Sequence, residues 1–437
     1  MTTEKKVTIL TIGTSGDVHP FVALGIGLKR AGFEVKIATH EEFKSLVEDH
    51  GLQFSEVVGN VGASMKTEQV KKSIDEGGKR KEFFNSLIDE AAPLFEQALM
   101  EFKSACEDAE IVVSSALTLH VAHYLTDYFD VPLIFCSVNP AGPTAEFHHI
   151  LADPPVGPKV MHSAYNKTTH KILTQIIWRY VKAELEPAWN KLMPEVKFTQ
   201  LDPLEKAFQK KLPLILMAYS PALLPKPKDW SVLQHVTGYW WLPSLEKYAP
   251  EPSLVDFVNN GEPPVYAGFG SMANEKDNML SNIVIPAIKA LGQRAVILDD
   301  GSDLSEFQND KDLYFIKRTD LNWLFPKMKA VAHHGGVGTT GISIQAGTPT
   351  LIVSFIPDQR FWGWQLSQLG AMPKPIPKKS ITYQNFHDSL EELLKNESYK
   401  TKTLELSVEM KKERGVDTAV ETIINYLAIR KSHLINT

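Results

Sequence analysis

Short apolar runs separated by helix-like stretches recur along this chain in two series, and little else bounds the fold so tightly. The first series is Val7–Ile12, Val35–Ala38, Ile111–Ser115, Leu133–Val138 and Leu214–Ala218. Runs that are apolar on both faces suit buried parallel strands, and their alternation with helices predicts a doubly wound parallel sheet. The second series is Pro264–Phe269, Ala295–Leu298, Leu313–Ile316, Ala330–Ala332 and Thr350–Val353. Between them lies a break, Gly238-Tyr-Trp-Trp-Leu-Pro243 followed by Pro250, Pro252, Pro263 and Pro264, which reads as a linker. The expected class is therefore α/β, with two doubly wound, Rossmann-like domains. Their expected bounds are 1–237 for the first, 238–263 for the linker and 264–405 for the second. A helical tail, 406–437, with Met410, Ala419, Ile423 and Leu427 apolar, is expected to pack back toward the first domain.

Helices are expected from Pro20 to a Gly32 cap, over 41–50, over roughly 80–105 and over Ile283–Leu291. Residues 139–165 break the pattern with five prolines and two glycines, as a binding loop would. Phe147 and His148 in it are candidates for contact with an acceptor.

At 437 residues, each half is large enough for its own core. A net charge of −6 argues against nucleic acid as a partner. Cys106 and Cys136 are the only cysteines, which fits a reducing compartment. The first residues, Met1–Lys6, are polar, and no window reaches the ~18–20 apolar residues of a spanning helix. A soluble, cytoplasmic protein is expected, monomeric or weakly dimeric. Without a basic patch legible in the sequence, membrane contact is expected to be at most transient.

Four segments carry candidate chemistry, each at the end of an expected strand. Ala332-His-His-Gly-Gly-Val-Gly-Thr-Thr340 leads from a strand into a helix. Its glycines permit close backbone approach, and a helix N-terminus favours an anion, most naturally phosphate. His334, Gly336, Gly338 and Thr339 are the candidate contacts, with Thr340 a further hydroxyl. Tyr266-Ala-Gly-Phe-Gly-Ser-Met272 offers Gly270 and Ser271 to the same group. Gly13-Thr-Ser-Gly-Asp-Val-His-Pro20 lacks the third glycine of a dinucleotide fingerprint, which disfavours a nicotinamide oxidoreductase. Asp17 there is either a helix cap or a general base. Asp358 and Gln359, in Ile356-Pro-Asp-Gln-Arg360, suit sugar hydroxyls or a cap. Asp310-Lys-Asp312 has the spacing of a metal motif but sits in a polar turn, and no metal is expected.

Taken in order, these motifs resemble the GT-B glycosyltransferases, specifically sterol 3-beta-glucosyltransferases and related bacterial natural-product enzymes. The resemblance covers nearly the whole chain. It is carried by Gly13-x-x-Gly-Asp-Val-x-Pro20, Thr237-Gly-Tyr-Trp-Trp-Leu-Pro243, Pro264–Met272, His333–Thr340, Ala346-Gly-Thr-Pro-Thr350, Asp358-Gln-Arg-Phe-Trp-Gly363 and Pro375-Ile-Pro377. One departure is Arg318-Thr-Asp320 before Trp323, where the family usually shows a proline and a histidine or aromatic residue near the nucleobase. The fungal enzymes' N-terminal lipid-binding modules are not seen, so a catalytic core alone is expected.

The resemblance implies two domains facing across a cleft, and inverting transfer of a hexosyl group, most naturally glucose, from a UDP-sugar. The acceptor would be a small apolar alcohol such as a sterol. The UDP-sugar would be a cosubstrate, with neither cofactor nor metal. Asp17 would take the acceptor's proton, while His19 matches a non-catalytic, possible acceptor-side position. His334, Ser271 and the following helix would stabilise the leaving diphosphate, and Asp358 and Gln359 would hold the sugar. Macrolide, flavonoid or other lipid acceptors, UDP- or TDP-sugars, a nucleotide-sugar epimerase and a non-catalytic nucleotide-sugar binder remain the alternatives.

Overall fold

The computed structural model describes residues 5–64, 67, 70, 92–195, 214–244, 248–270, 278–299 and 301–435. These divide into two compact units. One holds residues up to 64, 92–244 and 413 onward; the other holds 67, 70 and 248–412. The chain thus passes between units after 64, between 70 and 92, near 245 inside the expected linker, and after 412, where the first unit resumes at 413, seven residues beyond the expected start of the tail.

The first unit is built on seven parallel strands: β1 (Lys6–Leu10), β2 (Glu34–Thr39), β3 (Gln53–Glu56), β4 (Ile111–Ser114), β5 (Leu133–Ser137), β6 (Leu214–Met217) and β7 (Gln234–Val236). Their order is β3-β2-β1-β4-β5-β6-β7, so the order reverses between β1 and β4. The second unit has six: β8 (Val265–Gly268), β9 (Ala295–Leu298), β10 (Leu313–Ile316), β11 (Ala330–His333), β12 (Thr350–Ser354) and β13 (Ile376–Pro377). Their order, β10-β9-β8-β11-β12-β13, reverses between β8 and β11. Every strand expected from an apolar run is present. Three outer strands, β3, β7 and β13, carry no such run. Edge strands cover less apolar surface, so apolarity does not mark them.

Among the helices that frame the two sheets and their loops are α1 (Ser15–Arg30), α2 (Phe95–Cys106), α3 (Leu119–Phe129), α4 (His162–Leu192), α5 (Val337–Gln345), α6 (Pro357–Gln368) and α7 (Gly415–Ile435). Several differ from expectation. Helix α1 begins at Ser15, leaving Pro20 inside it. Thr14 and Asp17 form a capping box there, and that starts the helix before the proline. Only the end of the helix expected over 80–105 falls among described residues, as α2. The irregular insertion stops near 158, and a short 3-10 turn leads into the 31-residue α4. The buried positions of α4, Asn166, His170, Trp178, Leu185 and Trp189, are mixed in polarity, which hides the helix from a purely apolar periodicity. The expected linker contains a helix, Pro252–Asn259, opened by its proline. The expected 283–291 helix is a π turn, Leu280–Val284, followed by Ile285–Ala290.

The first unit's core joins its sheet to both ends of the chain. Val7, Ile9, Val22, Leu24, Ile134 and Leu216 share one buried cluster with Ala419, Val420, Ile423 and Leu427 of α7. Helices α1 and α7 approach closely at Gly27, where a Cβ would fall 2.5 Å from Val416. The returning chain is fixed by Ser220, whose hydroxyl donates to the Glu413 carboxylate at 2.5 Å. Cys106 and Cys136 are both buried and free.

At Gly415 a Cβ would fall only 2.1 Å from the backbone oxygen of Tyr239. Backbone cannot step aside as a flexible side chain can. Gly415→Ala should therefore destabilise the protein by about 1–3 kcal/mol. A urea titration followed by circular dichroism checks this, and an unchanged midpoint would contradict it.

Candidate functional site

In doubly wound sheets, ligands bind outside the carboxyl ends of the strands, where the order reverses. In the second unit that point lies between β8 and β11, paired in parallel with His333 opposite Gly268. The loops that leave these strands meet. Gly270 has φ +63°, a left-handed conformation that suits glycine, and a Cβ on it would lie 3.6 Å from His334 Cε1. Gly335, with φ +91°, touches the next loop, since its Cβ would lie 3.1 Å from the Gln359 carbonyl oxygen. The structure therefore brings Gly270, His334–Gly336 and Gln359 together. Ser271, the partner expected for Gly270, lies outside the described residues.

Helix α5 opens directly from this loop, with Gly336 as its N-cap. Gly338 and Thr339 lie in its first turn, where N–H groups have no preceding carbonyl to bond. A Cβ on Gly338 would meet nothing within 4 Å, so the space beside it is open.

His334 Nδ1, His333 Nε2, Thr340 Oγ1 and Ser354 Oγ are all buried without a hydrogen-bond partner. Leaving such an atom unsatisfied costs about 1–3 kcal/mol. All four lie on the segments at and beyond the carboxyl ends of β11 and β12. Burial pushes the His334 imidazole down to about 4 and holds His333 well below its ordinary value. Both rings are neutral at neutral pH, so His334 offers a hydrogen bond rather than a full charge. His333 Nδ1 accepts the Gly335 N–H at 2.9 Å, which places that ring's hydrogen on Nε2 and holds the glycine turn. Neither this shaping role nor the buried hydroxyl of Ser354 is among the sequence-based expectations. The doubled histidine before the glycines is the signal that could have found the first of them.

Gln359 is 3% exposed, and its Oε1 accepts the N–H groups of Phe355 at 2.8 Å and Ile356 at 3.3 Å. Its side-chain oxygen is thus committed to capping α6, which leaves Nε2 as the other hydrogen-bonding group of the amide. Asp358 is half-buried in the first turn of α6.

In the first unit the order reverses at β1, and Asp17 follows its end. Asp17 Oδ2 accepts the Thr14 N–H at 2.9 Å and the Thr14 hydroxyl at 3.0 Å. Gly13 makes room for it: φ is +131°, and a Cβ there would sit 2.5 Å from Oδ2. Burial pushes the Asp17 carboxyl above its ordinary value, and the two bonds from Thr14 oppose this without cancelling it. The helix terminus alone would have lowered it. His19 lies half-buried, edge-on to Phe43 with ring centroids 6.4 Å apart. Two residues apart on a helix, His19 and Asp17 point to different faces.

Phe147 and His148 are both buried. The Phe147 ring packs edge-on to Trp230 and His170, and His170 Nε2–H donates to the Phe147 carbonyl at 3.1 Å. Phe147 is thus enclosed between Trp230 and His170 of α4. Asp310 is ion-paired with Lys289 and accepts the Asp312 N–H at 3.0 Å, as a polar turn requires. Among the described residues one cluster, His387, Asp388 and Glu391, brings three potential metal-ligand atoms within 4.8 Å. It is absent from the sequence-based expectations. Asp388 already accepts from Gln384 and contacts His387.

A sterol 3-beta-glucosyltransferase of Arabidopsis thaliana is 30% identical over 440 residues, covering 98% of this chain and 67% of its own length. The chain belongs to the sterol 3-beta-glucosyltransferase family. A second relative, the sterol 3-beta-glucosyltransferase of Sclerotinia sclerotiorum, is 31% identical over 98% of this chain. The chain spans only 29% of that relative's length. The model of the glycosyltransferase family 28 N-terminal domain matches residues 7–119. Among solved structures, the glycotransferase of kitacinnamycin superposes with a TM-score of 0.69, covering 97% of this chain and 99% of that one. At 15% identity that likeness establishes the fold, which is GT-B.

The depressed histidines couple stability to pH. His334 and His170 stand at about 4 in the folded chain, against an ordinary 6.5. On acidification the unfolded chain takes up protons first, so stability falls as pH drops from about 6.5 to 4 and is retained above. Melting temperature should decline across that window, and His170→Asn should shallow the decline. A flat profile from pH 7 to 4.5 would contradict the burial of these two rings.

Proposed function

We propose that the chain transfers a hexosyl group, glucose first among them, from a UDP-sugar to a hydroxyl of an apolar acceptor such as a sterol. The single observation that carries the donor assignment is the set of unpartnered buried atoms on His333, His334, Thr340 and Ser354 around the start of α5. A diphosphate supplies the acceptors these groups lack, and it suits the N-terminus of a nine-residue helix. The acceptor and sugar follow from the named activity of the relatives.

The reaction is a displacement with inversion. The acceptor oxygen forms a bond to the sugar's anomeric carbon as the bond from that carbon to the diphosphate oxygen breaks. The electron pair leaves with the nucleotide diphosphate. The acceptor's proton passes to Asp17, whose raised affinity for it suits a general base. His334 and the first turn of α5 stabilise the departing diphosphate by hydrogen bonds, without a metal or a further cofactor. Asp358 and the Gln359 amide nitrogen hold sugar hydroxyls.

Asp17→Asn removes the base and keeps the shape. Turnover measured in excess chelator should fall roughly 10²–10⁴-fold while donor affinity holds. Wild-type-like turnover in the variant would remove Asp17 from this role, and loss of the wild type's activity in chelator would remove metal independence.

The donor contacts separate by calorimetry. His334→Ala should weaken UDP and UDP-glucose alike, by about 1–3 kcal/mol. Asp358→Ala should spare UDP and weaken only the intact sugar donor. Equal losses for both ligands in both variants would show that the sugar and diphosphate contacts are misassigned.

A further inference from the structure

The sheet of the second unit is open at its amino end as well. Pro263, Lys329 and Pro349 stand there just before the neighbouring strands β8, β11 and β12. Backbone bonds hold these starts side by side. The Lys329 N–H donates to the Pro264 carbonyl at 2.8 Å, and the Val331 N–H to the Pro349 carbonyl at 2.9 Å. The end of the helix Tyr383–Lys395 and the start of the helix Glu397–Met410 come over them with Leu393, Leu394 and Glu397. Between the strand starts and the two helices lies a cavity of about 410 Å³. Small-molecule sites run from about 300 to 1,000 Å³. The loops of Gly270 and His334 leave the opposite, carboxyl end of the same strands, so this cavity is no part of that site.

Its walls combine two chemistries. Met328, Leu393 and Pro349 are buried and apolar, and the half-buried Leu394 continues them outward. Beside them stand three cations, Lys327, Lys329 and Lys400. Among the described residues none of the three has an acidic partner, whereas Lys395 and Lys402 on the same two helices are paired with Glu391 and Glu405. Lys400 donates to the Gly347 carbonyl and Lys327 to the Trp323 carbonyl, both at 2.9 Å. Each bond pins an ammonium and leaves two of its three N–H groups. Lys329 is exposed, and its ammonium bonds to none of the described residues. One carboxylate, Glu397, shares the walls. Glu392 beside them keeps its charge while accepting from the Tyr399 hydroxyl. The three ammonium groups outnumber both.

We infer that this cavity binds a soluble organic acid, its carboxylate meeting Lys329 and Lys400 and its apolar body lying against Met328, Leu393 and Leu394. Ammonium and carboxylate form charge-assisted hydrogen bonds, which are stronger than neutral ones. A bare inorganic anion would leave the apolar wall in water, and an uncharged hydrocarbon would leave the ammonium groups facing it without partners. A nucleotide finds no aromatic face to stack on, since Lys327 already stands over the Trp323 ring, 4.4 Å from its centroid. A recess between two helices and three strand starts admits a single molecule, and a lipid surface does not fit it. The binding holds whatever sugar and alcohol the chain joins.

The test is calorimetry of the full chain with hexanoate, octanoate and decanoate, each below its micelle concentration, and with decan-1-ol, acetate and phosphate. Affinity among the three acids should rise roughly two- to fourfold with each added methylene. It should fall as salt is raised. Decan-1-ol, acetate and phosphate should each bind roughly tenfold or more weakly than decanoate. Lys329→Gln with Lys400→Gln should lower decanoate affinity roughly tenfold. An alkyl chain held anywhere else on the protein would be indifferent to these two lysines, so the variant also locates the site. Circular dichroism melts that match the wild type show that the loss is one of binding. If the double variant melts lower, Lys329→Gln alone, at an exposed side chain, gives the same comparison with a smaller drop. Absence of binding by all three acids at millimolar concentration would overturn the inference, as would equal decanoate affinity in the folded variants. It is also overturned if decan-1-ol, acetate or phosphate binds as tightly as decanoate.

Discussion

The parallel pairing of β8 with β11 is the constraint on which the donor side depends. Parallel neighbours send their carboxyl ends the same way, so the loop holding Gly270 and the loop holding His334 emerge side by side. Shifting the register by one residue would turn His333 and its neighbours to the other face of the sheet. The turn that His333 holds through Gly335, the first turn of α5 and the contact with Gln359 all follow from that placement. The buried strands around it supply the low-dielectric setting in which an unpartnered imidazole stays neutral.

Asp17 shows how one side chain can start a helix and carry a raised proton affinity together. Its carboxylate closes a capping box with Thr14, and that box is what starts α1 ahead of Pro20. Both bonds from Thr14 fall on Oδ2. The same burial that raises its proton affinity requires a glycine at 13, because any side chain there would collide with the carboxyl. Helix start, glycine and acid form one unit, so a side chain at 13 or the loss of the oxygen that accepts from Thr14 would disturb the others.

Much of the architecture is legible in the sequence because buried parallel strands must be apolar on both faces. Runs such as Ile111–Ser115 and Leu133–Val138 could serve little else. The edge strands β3, β7 and β13 escape for the converse reason. Helix α4 escapes because its buried positions include Asn166 and His170, which satisfy the loop rather than extend a core. At the site, glycine spacing points to the loops at Gly270 and His334. It does not show how Gln359 divides its amide between capping and the site, since the choice depends on the backbone N–H groups of Phe355 and Ile356. Phe147 and His148 stand out only for lying in a proline-rich loop, and a loop can bury its own aromatics as readily as offer them to a ligand.

The first unit's core includes residues from both ends of the chain, and this sets an order of events during synthesis. Ala419, Val420, Ile423 and Leu427 complete a cluster begun by Val7 and Ile9. Until α7 leaves the ribosome, the face of α1 around Gly27 has nothing to pack against. At about 5–20 residues per second, the nascent first unit waits roughly 10–30 seconds while the second is made. The second unit, continuous from 248 to 412 apart from its earlier residues, can close before the first is finished. The half made first is thus the half completed last, and its open core is where a nascent chain of this protein would meet chaperones.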